Sequence, residues 1–364
     1  MTKREEEVLQ LIMENPLISQ KECSTKLGIS RSAVAGHIMN LTEKGYIKGK
    51  GYILREDPYI VVIGGANMDI SGSPTANFIS RDSNPGTVTL SAGGVGRNIA
   101  ENLARLGSSV KLLTLLGDDI YGKQLMSECR TAGIDMNYAI TLDQCQTSTY
   151  LAILDEKKEM ISAISAMSIM DHFDKSYIEK NHRVINGASL LIIDANLPET
   201  VIRYITDKYR HMDIFFDTVS TAKAIKIREN IGDFHTIKPN KIEAEILSGL
   251  SINSETDMKK AAEVLLNKGV ERVFLTLGDK GIFYCDKDRH FIHKTNAVNA
   301  VNTTGAGDAF TAALAYSHNN GFSIEKTLRF ASAVSELTVL NTNTINRDLT
   351  IPNIEKIMKE RIDE

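Results

Sequence analysis

The chain has 364 residues, of which 42% are hydrophobic and 24% charged, as expected for a globular protein with a large core and more than one domain. Its net charge of −4 excludes a protein that attracts nucleic acid over its whole surface. No apolar run approaches the ~20 residues of a membrane span, and no apolar signal segment is visible, so we expect a cytoplasmic protein. The four cysteines are scattered without a CxxC pair, which predicts neither structural zinc nor a disulfide framework.

Residues 1–57 predict a small helical domain. Apolar residues at helical spacing indicate a first helix over about residues 3–14. Ser19 begins a second helix as its N-cap, and Ser30 begins a third in the same way. The stretch 46–54 has the pattern of two short strands around a glycine turn. Three helices followed by a hairpin predict a winged helix-turn-helix domain.

The charge of this domain leaves DNA binding open. It carries nine Lys or Arg and eight Asp or Glu residues, and a net charge of +1 is weak for DNA binding. Basic and polar residues on the predicted recognition helix and wing are more favourable: Arg31, Ser32, His37, Lys48 and Lys50. DNA binding through residues 1–57 and a role in protein interaction both remain possible, as does a vestigial domain.

From Tyr59 onward, strand-like apolar runs alternate with helical segments. The clearest predicted strands are 59–63, 109–115, 189–193, 213–216 and 272–276. The predicted helices are 95–106, 122–132, 198–209, 241–248, 257–268, 308–318 and 325–340. Such alternation predicts an α/β domain over residues 58–364, with a mostly parallel sheet and helices on both faces.

One region departs from this alternation. Segments 148–154 and 160–164 have strand character and flank a charged turn, which predicts a hairpin. Together with the stretch before the first glycine-rich segment, this hairpin predicts a small β lid over a site. The two lid segments are about residues 70–90 and 147–164.

The segment 302–310, NTTGAGDAF, is the strongest chemical signal. Its two glycines allow a tight turn that presents bare N–H groups, and a helix follows at once. We therefore expect an anion site suited to a phosphate. Asp308 lies beside that site, where a carboxylate can accept the proton of an attacking hydroxyl. The alternative is a glycine turn whose aspartate helps to cap a helix.

Two further segments carry polar residues at positions suited to a ligand. In residues 91–100, SAGGVGRNIA, consecutive glycines allow a close approach of ligand and backbone, and Asn98 can reach a sugar hydroxyl. Asn67 and Asp69 follow the strand 59–63, at the end where open α/β sheets bind ligands. An ordinary glycine loop and Asx turns are the alternatives.

Together, 91–100 and 302–310 resemble the two signatures of the PfkB, or ribokinase, family of carbohydrate kinases. The resemblance implies a ribokinase-like fold, ATP as phosphate donor and a sugar hydroxyl as acceptor. It implies that Asp308 is the catalytic base and that the backbone of Gly305, Ala306 and Gly307 forms the anion hole. It also implies a set of substrate-binding residues: Asn67, Asp69, Gly93, Gly94 and Asn98.

Two weaker matches accompany these signatures. Segment 238–243, KPNKIE, resembles the family's NxxE motif, which implies that Asn240 and Glu243 organise Mg²⁺ through water. Segment 276–281, TLGDKG, is similar to the family's nucleotide-binding turn. The resemblance thus implies an ATP site that contains Asn240, Thr276, Gly278, Gly281 and Thr304. A helix start with a first-turn Glu and a simple hairpin turn are the respective alternatives.

Several strings resemble one branch of the family, the pseudouridine kinases: 82–86, 94–103, 194–198, 217–224 and 238–249. This implies transfer to the 5′-hydroxyl of a nucleoside, and the lid sheets of the family imply a homodimer. Asn302 replaces an aspartate that helps most members hold a monovalent cation, so K⁺ dependence stays open. Ser165 and Ala166 replace two polar residues of that branch, so the preferred base also stays open.

Two other functions are compatible with these motifs. One is a kinase of the same family that acts on another sugar or nucleoside, as a ribokinase or phosphofructokinase does. The other is a transcription regulator whose kinase-like domain senses a nucleoside. Because Asp308 and the Gly305–Gly307 turn are intact, the sequence favours a working enzyme.

Overall fold

The structure is a computed structural model that describes residues 1–48, 58–295 and 298–360. Its contacts divide the chain into two compact units, Met1–Pro58 and Tyr59–Glu364. The first unit contains the helices α1 (Lys3–Glu14), α2 (Gln20–Leu27) and α3 (Arg31–Glu43).

Side chains cap all three helices of the first unit. The hydroxyls of Thr2, Ser19 and Ser30 each accept a hydrogen bond from an N–H group in the first turn of the helix that follows, which satisfies donors that a helix leaves unpaired. The helices enclose a small apolar core: Val8, Ile12, Ile18, Cys23, Val34, Leu41 and Ile47. The three predicted helices are confirmed, whereas the predicted wing falls outside the described residues from residue 49 onward.

The second unit alternates strands and helices. Its strands are β1 (Tyr59–Ile63), β2 (Asn67–Pro74), β3 (Gly86–Gly93), β4 (Ser109–Leu113), β5 (Leu115–Gly117), β6 (Ile140–Leu142), β7 (Thr149–Leu154), β8 (Met160–Ala166), β9 (Leu190–Asp194), β10 (Ile214–Asp217), β11 (Thr236–Ile237), β12 (Arg272–Thr276), β13 (Ile282–Cys285) and β14 (His290–His293). Its helices are α4 (Val95–Arg105), α5 (Ile120–Thr131), α6 (Lys175–Lys180), α7 (His182–Asn186), α8 (Glu199–Lys208), α9 (Thr221–Ala224), α10 (Lys241–Ser248), α11 (Glu255–Lys268), α12 (Ala306–Asn319), α13 (Ile324–Val339) and α14 (Ile351–Glu360). Within the part of the chain that the structure describes, no helix combines the length and apolar composition that crossing a membrane requires.

The large sheet has eight strands in the order β14-β13-β12-β11-β10-β9-β1-β4. All pairs from β4 to β12 are parallel, whereas β13 and β14 pair antiparallel. Successive side chains enter opposite faces: Val61 packs in the core that contains α8, α10 and α11, and Ile60 in the core that contains α4, α12 and α13. The predicted mostly parallel sheet with helices on both faces is confirmed.

A second sheet has four strands in the order β3-β2-β7-β8. The pairs β2–β3 and β7–β8 are antiparallel, and β2 runs parallel to β7. Because β2 begins only four residues after β1 ends, this sheet starts at the carboxyl end of a central strand. Its strands coincide with the two segments predicted for the lid.

Two strand predictions differ from the structure. The predicted strand 109–115 is two strands, since β4 pairs with β1 whereas β5 pairs with β6 in a separate sheet. Leu112, Leu113, Leu115 and Leu116 are all buried, so the single Thr114 between them did not mark the end of a strand. The simple hairpin turn, the alternative for segment 276–281, is confirmed because β12 and β13 pair antiparallel across it, whereas β14 is absent from the prediction.

Candidate active site

Polar side chains meet at the carboxyl edge of the large sheet. Asp194 ends β9, Asp217 ends β10, Lys238 follows β11, and Thr276 ends β12. The start of α12 lies at the same edge, because the Thr311 hydroxyl donates to Asp217 Oδ2 at 2.8 Å. Open α/β sheets bind ligands at this edge, so a candidate active site lies here.

The turn that begins α12 is the predicted anion site. Gly305 is its N-cap and has a φ of 83°, in the left-handed region. A Cβ at Gly305 would lie 2.4 Å from the carbonyl oxygen of Thr344, so both conformation and space require glycine. The first N–H groups of α12 have no partner within the helix, although that of Ala306 donates to the carbonyl oxygen of Thr303 at 3.3 Å, and the helix dipole adds positive charge. The geometry therefore suits a bound anion.

Asp308 lies in the first turn of α12 and receives a hydrogen bond from α4. Asn98 Nδ2 donates to Asp308 Oδ2 at 2.8 Å. Asn98 is itself held by Arg97, whose Nη1 donates to Asn98 Oδ1 at 3.1 Å and whose guanidinium pairs with Glu101. The sequence places Asn98 against a sugar; in the structure its amide holds the carboxylate of Asp308. A buried chain of side chains thus orients Asp308.

The surroundings of Asp308 change its acidity. Asp308 is half-buried, so the surrounding protein removes much of its hydration, and the charge of Asp217 adds to this effect. Together they raise the pKa of Asp308 to about 7, against the opposing effects of the Asn98 hydrogen bond and the Lys238 charge. A carboxylate with a pKa near neutrality is suited to take a proton from a hydroxyl group.

Lys238 is a buried cation beside this carboxylate. Its Nζ lies 3.7 Å from Asp217 Oδ2, and the two side chains are only 10% and 5% exposed. A Cβ at Gly307 would lie 3.2 Å from Lys238 Nζ, so the ammonium group faces the anion turn. Burial alone would lower the pKa of Lys238, but Asp217, Glu243 and Asp308 outweigh it and raise the pKa. A fixed positive charge therefore lies at the anion turn.

The glycine loop before α4 packs directly on Asp69. Asn67 Nδ2 donates to Asp69 Oδ1 at 2.6 Å, and burial raises the pKa of Asp69 more than this bond lowers it. A Cβ at Gly93 would lie 2.2 Å from Asp69 Oδ2. A Cβ at Gly94, where φ is 97°, would lie 2.5 Å from the carbonyl oxygen of Gly65. The predicted substrate residues are therefore neighbours, and the two glycines permit their close approach.

Asn240 and Glu243 cap α10. Asn240 Oδ1 accepts from the N–H of Glu243 at 2.9 Å, and Glu243 Oε2 accepts from the N–H of Asn240 at 3.0 Å. The Thr218 hydroxyl also donates to Glu243 Oε2, at 2.7 Å. The helix-start interpretation of this motif is thus confirmed, while Glu243 Oε1 takes no part in the cap. A parallel bridge between Asn240 and Thr276 places the motif beside the predicted nucleotide turn.

A cleft of about 390 Å³ opens beside the anion turn. Predicted residues of the nucleotide turn and the anion turn line it: Thr276, Gly278, Gly281, Ala306 and Gly307. Val298, Phe310 and Val339 make its interior apolar, so its chemistry suits an adenine ring next to a phosphate site. Thr304 lies in the preceding loop, where its N–H donates to Asn302 Oδ1 at 2.9 Å. Another cleft of about 390 Å³ lies along α5, and none of the predicted site residues lines it.

Comparison with known proteins decides the family. The profile of pfkB family carbohydrate kinases matches residues 57–351. The chain belongs to the PfkB family of carbohydrate kinases. Kinases of this family are phosphotransferases with an alcohol group as acceptor, so this protein is a sugar or nucleoside kinase. A profile of winged helix-turn-helix DNA-binding domains matches residues 1–48, so this PfkB-family kinase carries such a domain at its N-terminus.

Relatives of this PfkB-family kinase span nearly its whole length. It is 39% identical to an uncharacterized sugar kinase, YeiI, of Escherichia coli, over 96% of this chain and 98% of that protein. It is 34% identical to the pseudouridine kinase of Escherichia coli, over 84% of this chain and 98% of that protein. The crystal structure of a candidate sugar kinase from Clostridium perfringens is 35% identical, with a TM-score of 0.76 over 84% of this chain and 97% of that chain. The fold is therefore the ribokinase-like α/β fold.

Sequence reasoning missed three polar residues of the site: Arg97, Asp217 and Lys238. It assigned Lys238 no role, although a lysine directly after a buried strand is a signal for the ligand-binding edge of an α/β sheet. Asp217 carried a similar signal, because it is a charged residue at the carboxyl end of a buried strand. Arg97 carried no usable signal, because its own partners are Asn98 and Glu101 on the same helix and the carbonyl oxygen of Ala92, and it reaches Asp308 only through Asn98.

Proposed function

We propose that this protein transfers the γ-phosphoryl group of ATP to the 5′-hydroxyl of a nucleoside, with pseudouridine as the preferred substrate. One observation carries the kinase activity: the oriented Asp308 carboxylate, with a pKa near 7, lies beside the glycine turn and the Lys238 ammonium group. The choice of pseudouridine is supported by the 34% identity to a pseudouridine kinase over 98% of that protein.

In the proposed reaction, Asp308 accepts the proton of the substrate hydroxyl while the hydroxyl oxygen bonds to the γ-phosphorus of ATP. The bond between that phosphorus and the β–γ bridging oxygen breaks, and ADP leaves. The N–H groups of Gly305, Ala306 and Gly307 and the ammonium of Lys238 stabilise the negative charge on the transferred group. The small sheet β3-β2-β7-β8 excludes water that would otherwise hydrolyse ATP.

The substrate is proposed to lie on the glycine loop. Asp69 and Asn67 are placed to accept and donate hydrogen bonds to ribose hydroxyls, with Gly93 and Gly94 beneath the sugar. A polar pair near the end of the small sheet could recognise the base: Lys223 Nζ donates to Asn196 Oδ1 and lies 3.5 Å from Met167 Sδ. Burial lowers the pKa of Lys223, because holding its ammonium group away from water is costly.

The nucleotide and its metal are proposed to bind near α10 and the cleft. Thr276, Gly278, Gly281 and Thr304 would contact ATP, with Asn240 beside the phosphates. The free Oε1 of Glu243 fits a hydrogen bond to water on Mg²⁺ better than direct ligation, because Oε2 is already committed to the cap. Bound there, Mg²⁺ would neutralise phosphate charge.

A monovalent cation is a separate question. Asn302 Nδ2 donates to the carbonyl oxygen of Thr342 at 3.0 Å, which engages an oxygen that a cation could otherwise use. We therefore expect K⁺ to stimulate turnover no more than about twofold over Na⁺ at equal ionic strength. Initial rates in the two chloride salts measure this, and a strict requirement for K⁺ would contradict it.

The test of the proposed function is an ATP-to-ADP assay of the full chain with Mg²⁺ and a substrate panel. The panel contains pseudouridine, uridine, cytidine, adenosine, inosine, ribose and fructose 6-phosphate. A kcat/KM for pseudouridine at least tenfold above the others is expected, and product analysis should place phosphate on the 5′-oxygen. Preference for another compound would point to Ser165 and Ala166 on β8 as the origin of the difference.

DNA binding is a second proposed activity, supported by the matching helix-turn-helix profile. Arg31 and Ser32 are exposed at the start of α3, the helix in the recognition position, while His37 is half-buried. Selection from a random DNA library with the full chain tests this activity. Enrichment of one sequence that Arg31→Ala abolishes would support it. Such binding without turnover on the substrate panel would favour the alternative of a nucleoside-sensing transcription regulator.

A homodimer is proposed from the surface of the small sheet. Val88 on β3 and Ile164 on β8 are 67% and 63% exposed, and such apolar residues on a sheet favour contact with a second copy. Light scattering during gel filtration should give twice the chain mass. Val88→Glu should reduce that mass, and a monomeric wild-type protein would contradict the proposal.

A further inference from the structure

A second group of charged and metal-binding side chains lies at the opposite edge of the large sheet. Asp213, His235 and Glu271 each directly precede the first residue of β10, β11 or β12. These strands are parallel neighbours, and their register puts Glu271 beside His235 and Asp213 one residue before the position opposite His235. Helix α12 begins at the catalytic edge and ends here, where its last turn adds His318. We name these four residues the histidine cluster.

The ligand atoms of Asp213, His235 and His318 lie close together, and Glu271 joins them through His235. His318 Nε2 lies 2.9 Å from Asp213 Oδ2, and His235 Nε2 lies 4.0 Å from the same oxygen. His235 Nε2 also lies 3.4 Å from Glu271 Oε2. A nitrogen of each histidine and an oxygen of Asp213 all lie within 4.8 Å of one another. Tetrahedral zinc, with bonds of about 2.0–2.2 Å, separates its ligand atoms by roughly 3.4 Å, a value inside the observed range.

The orientation of His235 suits metal binding. Its Nδ1 lies 2.8 Å from the hydroxyl of Thr236, which can accept the ring proton and leave the Nε2 lone pair free. Phe215 stacks parallel on the His235 ring, with centroids 5.7 Å apart. Phe215 also contacts the His318 ring edge-on at 5.2 Å. Packing therefore fixes the directions of both rings before any metal binds.

We propose that the histidine cluster binds one divalent transition-metal ion, zinc by preference, through His235, His318, Asp213 and Glu271. Two imidazoles and two carboxylates form a donor set that suits zinc, whereas Mg²⁺ and Ca²⁺ prefer oxygen alone. The two carboxylates balance the charge of the ion, and the carbonyl end of α12 adds partial negative charge. The scattered cysteines, which predict no structural zinc, do not bear on a site built from histidine and carboxylate.

Two features define how this site would work. Arg272 Nη1 lies 3.5 Å from His318 Nδ1, so on metal binding this long side chain must turn away from the ring. The ten residues from Asp308 to His318 span ~15 Å along α12, so the site is remote from the catalytic base. Bound metal would join the last turn of α12 to the starts of β10, β11 and β12. It would stabilise the fold without taking part in catalysis.

Zinc titration of the full chain tests the proposal. Protein stripped with a chelator is titrated with zinc chloride by calorimetry, without nucleotide, and its melting temperature is measured with and without zinc. We expect one zinc ion per chain and a higher melting temperature. Cobalt(II) should give the visible absorption bands of tetrahedral coordination. His318→Asn and Asp213→Asn should each weaken binding about tenfold or more.

His290→Asn is the matched control, because His290 is an exposed histidine outside the cluster. It should bind zinc as the wild type does. Unchanged stoichiometric binding by both His318→Asn and Asp213→Asn would overturn the proposal, as would wild-type protein without a saturable site. If a variant fails to fold, the cobalt spectrum of the wild type decides: octahedral bands alone would count against the site. None of these outcomes depends on the identity of the kinase substrate.

Discussion

The two edges of the large sheet carry charged side chains in different surroundings. At the carboxyl edge, Asp217 and Lys238 are almost fully buried, and their charges change the pKa of Asp308. At the amino edge, Asp213 and Glu271 are 47% and 62% exposed, and solvent screens their charges. Helix α12 connects the two edges, with Asp308 in its first turn and His318 in its last.

This difference teaches what each edge can do. Buried charges in a site of low dielectric act strongly on a reacting group, as catalysis requires. The half-exposed side chains of the amino edge can exchange a metal ion with solvent, and a bound ion would stabilise the fold. Substitutions at the carboxyl edge should therefore change turnover, and substitutions at the amino edge should change metal binding.

The largest expected effect is on turnover in Asp308→Asn. An amide cannot accept the hydroxyl proton, so kcat should fall about 10³-fold or more while ATP binding persists. Burial raises the pKa of Asp308 to about 7, so the folded state favours the protonated carboxyl group. The free energy of unfolding is therefore higher at low pH and decreases as pH rises through that pKa. The variant should therefore melt no lower than the wild type at pH 8. Rate assays and thermal melts measure both, and near-normal turnover would exclude Asp308 as the base.

Lys238→Met should lower kcat by about 10²-fold, because it removes a positive charge from the anion turn. It should also raise the pKa of Asp308 further, since Lys238 lowers that pKa in the wild type. The pH profile of kcat/KM should accordingly move to higher pH, which loss of packing alone would not cause. Lys241→Met, at an exposed lysine three residues away, is the control and should retain wild-type kinetics. An unmoved profile in Lys238→Met would argue that Lys238 serves only the fold.

The pH dependence of the wild type should show the ionisation of Asp308. The base must be deprotonated, and its pKa is raised to about 7, so kcat/KM should fall about tenfold per pH unit below that value. Above it, kcat/KM should level off. Rates measured from pH 5 to 9 at constant ionic strength provide the profile. A plateau that extends down to pH 5 would show that the base has an ordinary carboxyl pKa.

The smallest effect is expected for His318→Asn at the amino edge. Without zinc, the half-exposed pair of His318 and Asp213 should contribute at most about 1 kcal/mol, and kcat should change less than twofold. With zinc, the rise in melting temperature seen for the wild type should be absent. Parallel kinetics and melts make the comparison. A large loss of kcat in this variant would mean that the two edges are not independent.

Much of the fold could be predicted from the sequence because its signals are local. The capping residues Ser19 and Ser30 and the apolar spacing between them fix α2 and α3 in the sequence itself. Helix α10 lies at the predicted 241–248 because Asn240 and Glu243 cap it from within four residues. The division between β4 and β5 was not predictable, since buried leucines lie on both sides of Thr114 and the partner strands β1 and β6 are distant in sequence.

The sequence by itself determined the parts of the site that depend on local chemistry. The Gly305–Gly307 turn, Asp308 and the Gly93-Gly94 loop were evident because each needs a particular residue type at a fixed spacing. The tertiary structure alone decided which distant groups meet Asp308. Asn98 reaches it from a helix 210 residues earlier in the chain, and Lys238 from the end of β11.

The histidine cluster shows the same division at the other edge. Asp213, His235, Glu271 and His318 are spread over more than one hundred residues, and no local spacing marks them as a set. They converge because three parallel strands start within one residue of the same register and α12 ends beside them. Periodicity and motifs report contacts between neighbours in sequence, whereas a site assembled from separate strands follows from sheet order, which a single sequence does not specify.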